Sequence, residues 1–282
     1  MIRGEPAAHS RQGIRLGVAT GHLDGRDSGA GSMPVLEARP GTPASQLGHR
    51  LRDHRPALAF VVATLLGYFL LAAFAIGLGL FLVDVALPIH SVGHADEWLD
   101  EWLAAHRTGS LNDISYVASA VGDMPAIPGL VVLTALGAAV LRRWRVAAFI
   151  VGAILIEVAT YRIASLIVHR DRPAVLRLDH LPVNQSYPSG HVAASVVVYV
   201  GLALLISSRL RRRWVTITVW TLAVVLPLAV AWSRMYRGMH HPLDVIAGAL
   251  IGVLAIGVAL LAARACGEAV RLRNSSNNGG RA

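Results

Sequence analysis

Residues 57–87 read ALAFVVATLLGYFLLAAFAIGLGLFLVDVAL, and that run settles what solvent the chain meets. A membrane-crossing helix needs about 20 mostly apolar residues, so this one is long enough to cross with tilt or to protrude. Comparable runs follow at Met124–Leu141, Val146–Val168, Val192–Ser207, Val215–Trp232 and Leu243–Ala263. The fourth is short unless its helix begins at Ser189. The pattern predicts an all-α integral membrane protein, a bundle of six transmembrane helices over residues 57–265. Composition agrees: 54% of the 282 residues are hydrophobic and 15% are charged, which excludes a disordered or collagenous chain. Residues 1–56 are rich in Gly, Pro, Ser, Arg and Asp without a helical or strand period, and lack the apolar core of a secretory signal. They read as a disordered tail, as do residues 266–282.

The basic residues number 26 against 17 acidic ones, and every one is arginine. Basic nucleic-acid binders gather charge on a soluble face. Here the arginines occupy short connections between apolar runs, so a nucleic-acid partner is not expected. Arg142, Arg143 and Arg145, the group Arg209–Arg213, and tail residues such as Arg50, Arg55, Arg264 and Arg271 fall on alternate connections. The positive-inside rule makes these, and both tails, cytoplasmic. The loops His90–Asp123, His169–Gly190 and Ser233–Pro242 then face the periplasm or exterior. In the first of them Trp98, Leu99, Trp102 and Leu103 share a helical face, which suits a short helix at the membrane surface or an amphipathic lead-in to the second span. A lone cysteine, Cys266, offers neither an internal disulfide nor a zinc site.

Arginines and histidines concentrate in the second and third outward loops. Pro188, Ser189 and Gly190 stand directly before an apolar run, so Ser189 is a candidate helix N-cap. The unpaired N–H groups behind it, with the positive end of the helix dipole, favour an anion. Gly190 permits close approach and His191 overhangs the same place; the tetrapeptide alone is equally a plain capped helix. Further on, His240 and Asp244 are four residues apart with Pro242 between them, spacing that lets the two side chains meet on one helical face. A carboxylate accepting the imidazole N–H would leave the other nitrogen bare as a nucleophile. Ser233 and Arg234 add a hydroxyl and a guanidinium. A metal pair of His240 and His241 is disfavoured, because adjacent helical side chains diverge by about 100° and no well-spaced third ligand follows. Arg172 and Arg234 could grip phosphoryl oxygens bidentately. For Arg170, Arg177 and Arg237, snorkelling or headgroup contact is the preferred reading. Glu157 lies inside the third span and reads as a structural pair with Tyr161 or a nearby arginine; Gly248 and Gly252 mark close helix packing in the sixth.

These residues resemble the three-part signature of the type 2 phosphatidic acid phosphatase (PAP2) superfamily, which includes vanadium haloperoxidases: Lys-x6-Arg-Pro, Pro-Ser-Gly-His and Ser-Arg-x5-His-x3-Asp. Arg172 and Pro173 match the end of the first part, Pro188–His191 the whole second, and Ser233, Arg234, His240 and Asp244 every defined position of the third. The resemblance implies a membrane lipid phosphatase needing no metal or other cofactor. In it His240 would form a phosphohistidine, Asp244 would orient His240, and His191 would protonate the leaving oxygen. Arg172, Ser189, Gly190 and Arg234 would bind the phosphate of a lipid in the cytoplasmic membrane. Phosphatidic acid, phosphatidylglycerol phosphate and undecaprenyl diphosphate are the implied substrates; a phosphotransferase, or a silent lipid-phosphate binder or transporter, are the alternatives. One position departs: Ser165 stands where the family has lysine, and Arg162, one turn earlier, is expected to reach the site instead.

Overall fold

The computed structural model describes residues 33–279 apart from 124, 180–184 and 211. The described chain is helical, its one β feature an isolated bridge between Asp171 and Gln185. The helices are α1 (Pro43–Arg50), α2 (Pro56–Phe81), α3 (His90–Ala105), α4 (Gly109–Ala120), α5 (Ala126–Val140), α6 (Trp144–Ile167), α7 (Gly190–Arg209), α8 (Arg213–Tyr236) and α9 (Pro242–Gly279). Helices α2, α6, α7, α8 and α9 are long and apolar enough to cross a membrane, so the chain is a multi-pass membrane protein. The expected second span falls short. Helix α5 has 15 residues, about 22 Å at 1.5 Å per residue against a hydrocarbon core of about 30 Å; Met124, where that span was expected to begin, lies outside the described residues. The fourth span gains its length at the front, since α7 starts at Gly190 and runs 20 residues.

The bundle closes around α9, which packs against α2, α6 and α7. Phe149, Ile150 and Ala153 of α6, Val196–Val198 of α7, and Ala255, Ile256 and Ala259 of α9 form its main core. The outer faces of α2 and α8 leave Phe69, Leu70 and Leu228 exposed, which lipid rather than water must cover. Two glycines set how closely α7 can approach. A Cβ on Gly248 would collide with the Ser189 carbonyl oxygen, and one on Gly252 would sit 2.7 Å from the Ala193 carbonyl oxygen. The Pro188–Gly190 turn therefore rests on the bare backbone of α9.

Three sequence expectations change. Residues within the expected N-terminal tail fold: α1 packs on α9, with Ala44 against Ala59, Ala265 and Ala269. Thr42 caps α1 through its side chain at Ser45 N, and Pro43 opens the helix. Residues 1–32 and 280–282 of the two tails lie outside the described residues. The sixth span does not stop at Ala263 but continues as helix to Gly279, because no Gly or Pro breaks the chain there until Gly267, which the helix tolerates. Helix α3 buries Asp96 and Asp100 together with Leu103, while Trp98 and Trp102 stay exposed; the apolar face expected there is split.

Replacing Gly248 with Ala should push the Pro188–Gly190 turn off α9 at a cost of about 1–3 kcal/mol. A thermal unfolding midpoint equal to that of the unaltered chain would show that the turn is not held there.

Candidate active site

The C-terminal ends of α6 and α8 and the N-terminal ends of α7 and α9 meet at one end of the bundle, and the three motif segments meet with them. Tyr187 is wholly buried and donates to the Ala75 carbonyl oxygen of α2 at 2.8 Å. Ser189 N–H donates to the Asp244 carbonyl oxygen at 3.1 Å. The loop before α7 is thus fastened to both α2 and α9. Ser189 occupies the N-cap position as expected, but its side chain makes no capping bond. Its Oγ is buried without a partner among the described residues, beside the open N–H groups of the first turn. Gly190 lies under the ring of Tyr161, where a Cβ would sit 3.1 Å from Tyr161 Cδ2.

His240 is 4% exposed, and its Nδ1 lies 2.6 Å from the Ser186 carbonyl oxygen. A carbonyl can only accept, so Nδ1 carries the proton and Nε2 is left bare. The expected direct bond from His240 to Asp244 is not what fixes this tautomer. Helix α9 begins at Pro242, so His240 lies outside it, and the spacing rule that aligns residues four apart does not apply. Asp244 instead reaches back to the His241 N–H at 3.0 Å, a capping contact for its own helix. It also accepts from Ser186 Oγ and Arg170 Nη1. Ser186 therefore links the two, its hydroxyl on Asp244 and its carbonyl on His240.

Burial lowers the basicity of His240 first, and the neighbouring Arg234, Arg172 and His191 lower it further, against the opposing hydrogen bond to Ser186. Both motif arginines meet the chain next to His240: Arg172 donates to the Met239 carbonyl oxygen, and the Met239 N–H donates to the Arg234 carbonyl oxygen at 2.9 Å. His191 Nε2 lies 3.3 Å from Asp123 Oδ1. Arg172 is buried and donates from Nη1 to the Met239 carbonyl oxygen. Arg234 is 2% exposed. Its Nη1 donates to Ser119 Oγ at 2.8 Å and Asp179 Oδ2 at 2.9 Å, while Nε and Nη2 are buried with no partner among the described residues.

Other expected residues stand elsewhere. Arg162 is exposed on α6. Ser165 faces inward from the same helix and turns its hydroxyl back to the Arg162 carbonyl oxygen. The Ser233 hydroxyl donates to the Ser115 carbonyl oxygen at 2.8 Å, tying α8 to α4. Arg170 and Arg237 are not snorkelling: both are buried, Arg170 between Asp96 and Asp244, Arg237 on Asp179. Glu157 is buried with its Oε2 unpartnered among the described residues. His241 turns from His240 to Asp100, with Nδ1 2.8 Å from Oδ2. Burial pushes Asp100 up to about 6 against the pull of His241. Among the described residues no group of three or more His, Cys, Asp or Glu is placed to hold a metal.

Sequence reasoning missed Asp96, Ser115, Ser119, Asp179 and Ser186. Asn112, Ser115 and Ser119 do repeat at helical spacing on one face of α4, a polar stripe that could have been read. Asp96 accepts from the Leu243 N–H at 2.9 Å and from Arg170, so α3 caps α9 across the site. Asp179 carried no local signal.

At this end of the bundle, buried His240 stands with its Nδ1 on the Ser186 carbonyl oxygen, and Ser189 Oγ and the Nε and Nη2 of Arg234 are buried without partners among the described residues. Residues 146–267 match the model of the PAP2 superfamily. An undecaprenyl-diphosphatase of Sulfolobus acidocaldarius is 36% identical over 38% of this chain and 48% of its own length. A putative undecaprenyl-diphosphatase of Escherichia coli is 36% identical over 30% of this chain and 40% of its own. The chain therefore spans less than half the length of these curated relatives. The crystal structure of a transmembrane PAP2-type phosphatidylglycerolphosphate phosphatase from Bacillus subtilis superposes with a TM-score of 0.57 at 23% identity, covering 73% of this chain and 94% of that one. The fold is shared with it.

The depressed basicity of His240 has a stability consequence. The unfolded chain takes up a proton near pH 6.5, whereas buried His240 stays neutral, so stability is present above that pH and is lost as pH falls below it. His240→Asn keeps a side-chain N–H for Ser186 and removes the titration. Its unfolding midpoint should fall less between pH 7.5 and 5.5 than that of the unaltered chain. Equal falls would mean that His240 is not held neutral.

Proposed function

We propose that this chain is a metal-independent membrane phosphatase that removes a phosphoryl group from a lipid phosphate or diphosphate through a phosphohistidine on His240. The observation that carries the reading is the tautomer of His240, whose bare Nε2 is fixed by the Ser186 carbonyl oxygen at 2.6 Å. Binding a phosphate needs cations alone; a buried, oriented imidazole nitrogen beside them is what nucleophilic catalysis adds.

In this mechanism Nε2 attacks phosphorus while the bond to the leaving oxygen breaks. The Nε–Nη2 edge of Arg234, the Arg172 guanidinium, Ser189 Oγ and the first N–H groups of α7 hold the remaining oxygens. Charge developing on them is met by groups already in place, which is where most of the acceleration arises. His191, carrying its proton against Asp123, passes it to the leaving oxygen. Water then attacks the phosphohistidine with His191 as base, which returns the site to its starting state. Asp244 acts one residue removed, holding Ser186 and thereby the carbonyl that fixes His240.

The arginine-rich connections lie at the opposite end of the helices from this site. By the positive-inside rule that end and both tails are cytoplasmic, and the site opens to the periplasm or exterior of the cytoplasmic membrane. The names of the curated relatives put undecaprenyl diphosphate first among candidate substrates.

Purified chain in detergent, assayed with undecaprenyl diphosphate, phosphatidic acid and phosphatidylglycerol phosphate, should release phosphate equally with and without EDTA. Loss of turnover on chelation would overturn the metal-independent mechanism. His240→Ala should lower kcat by about 10⁴-fold or more, and Arg162→Ala should leave kcat and KM as they are. A His240→Ala chain with undiminished turnover would remove the nucleophile; a large loss in Arg162→Ala would restore that arginine to the site.

A further inference from the structure

Arg234 can hold a phosphoryl group bidentately only if the correct edge of its guanidinium faces the site. A guanidinium has five N–H bonds in one plane, and rotation about the side chain presents either the Nη1–Nη2 edge or the Nε–Nη2 edge. Both hydrogens of Nη1 are engaged, one by Ser119 Oγ at 2.8 Å and one by Asp179 Oδ2 at 2.9 Å. The buried edge without a partner among the described residues is Nε–Nη2. Ser119 alone is a neutral, single-point anchor, whereas Asp179 brings a charge and a second direction of pull.

Asp179 is itself held. Arg237 donates to it from Nε at 3.0 Å and from Nη2 at 2.6 Å. Arg237 is braced in turn by Ser115 Oγ at 3.0 Å on α4. The backbone beside the carboxylate is pinned as well, with Leu178 N–H on the Arg237 carbonyl oxygen at 3.0 Å. Burial would raise the Asp179 pKa, but the hydrogen bond from Arg237 and the charges of Arg234 and Arg237 outweigh it and hold the group below its ordinary value. The carboxylate is therefore ionised at neutral pH.

We propose that Asp179 is a positioning residue for the phosphate grip: braced by Arg237, it takes Nη1 of Arg234 and turns the Nε–Nη2 edge to the phosphoryl oxygens. This rests on the phosphatase reading above. It also gives Arg237 a function, as the strut behind Asp179, and explains why a carboxylate stands so near an anion site. Its repulsion of the substrate is the cost of a fixed arginine, since two of the three charges in the Arg234–Asp179–Arg237 row are positive.

Asp179→Asn keeps the shape and removes the charge. In full-length chain purified in detergent, KM for the lipid phosphate and the inhibition constant for inorganic phosphate should each rise about tenfold, with a smaller fall in kcat. Arg237→Lys keeps a positive charge but cannot hold both carboxylate oxygens, so it should shift the same two constants in the same direction by less. It also serves if Asp179→Asn cannot be purified. Unchanged constants would overturn the inference. So would tighter phosphate binding, which would make Asp179 a competitor for the seat, and so would a drop in kcat alone that tracks a lower unfolding midpoint, which would make it structural only. These outcomes require an unaltered chain that hydrolyses lipid phosphate. If that chain neither hydrolyses any lipid of the panel nor binds inorganic phosphate, the phosphatase reading fails, and this inference with it.

Discussion

Charge buried at the mouth of a lipid-facing bundle has to be paired or it unfolds the bundle. Arg170, Arg172, Arg234 and Arg237 are each at most 8% exposed, and an isolated ion there would cost several kcal/mol even after relaxation. Pairing is what makes the arrangement possible: Asp96 and Asp244 enclose Arg170, and Asp179 joins Arg234 to Arg237. The carboxylates come from α3, α9 and the loop between α6 and α7, so satisfying the arginines also fixes where those segments lie. Site and fold are stabilised by the same contacts.

That network sorts the arginines by use. Arg170 and Arg237 spend their donors on protein carboxylates and hold other groups still. Arg234 spends one nitrogen in that way and keeps two open. The single carboxylate of Asp244 similarly serves the helix end, the loop hydroxyl and Arg170 at once, and is linked to His240 through Ser186. Losing any of these groups leaves its partners buried and unsatisfied, and such losses are larger than the interaction itself is worth.

Much of the fold was legible because lipid imposes a simple rule: a backbone in hydrocarbon must satisfy itself, so long apolar runs are helices. Leu243–Ala263 and Val146–Val168 read that way, and the Gly248–Gly252 spacing correctly marked close packing. The second span and the tails were less readable. Whether 15 apolar residues cross a membrane, or whether the Pro43–Arg50 stretch folds, depends on neighbours; α1 is held by Ala265 and Ala269 of α9, more than 200 positions away in the chain. One turn of separation between Arg162 and Ser165 did not show that the bundle buries Ser165 and leaves Arg162 exposed.

The sequence by itself determined the helical membrane architecture, the alternation of charged connections and the three motif segments that carry His191, Arg234 and His240, since each is written in local spacing and hydropathy. Tertiary structure decided what those residues touch. Ser186 rather than Asp244 sets the His240 proton, Asp179 sets the edge of Arg234, and Asp96 of α3 caps α9. Such partners are chosen by which buried donors lie within hydrogen-bond reach once the helices have packed, and that geometry has no local signature along the chain.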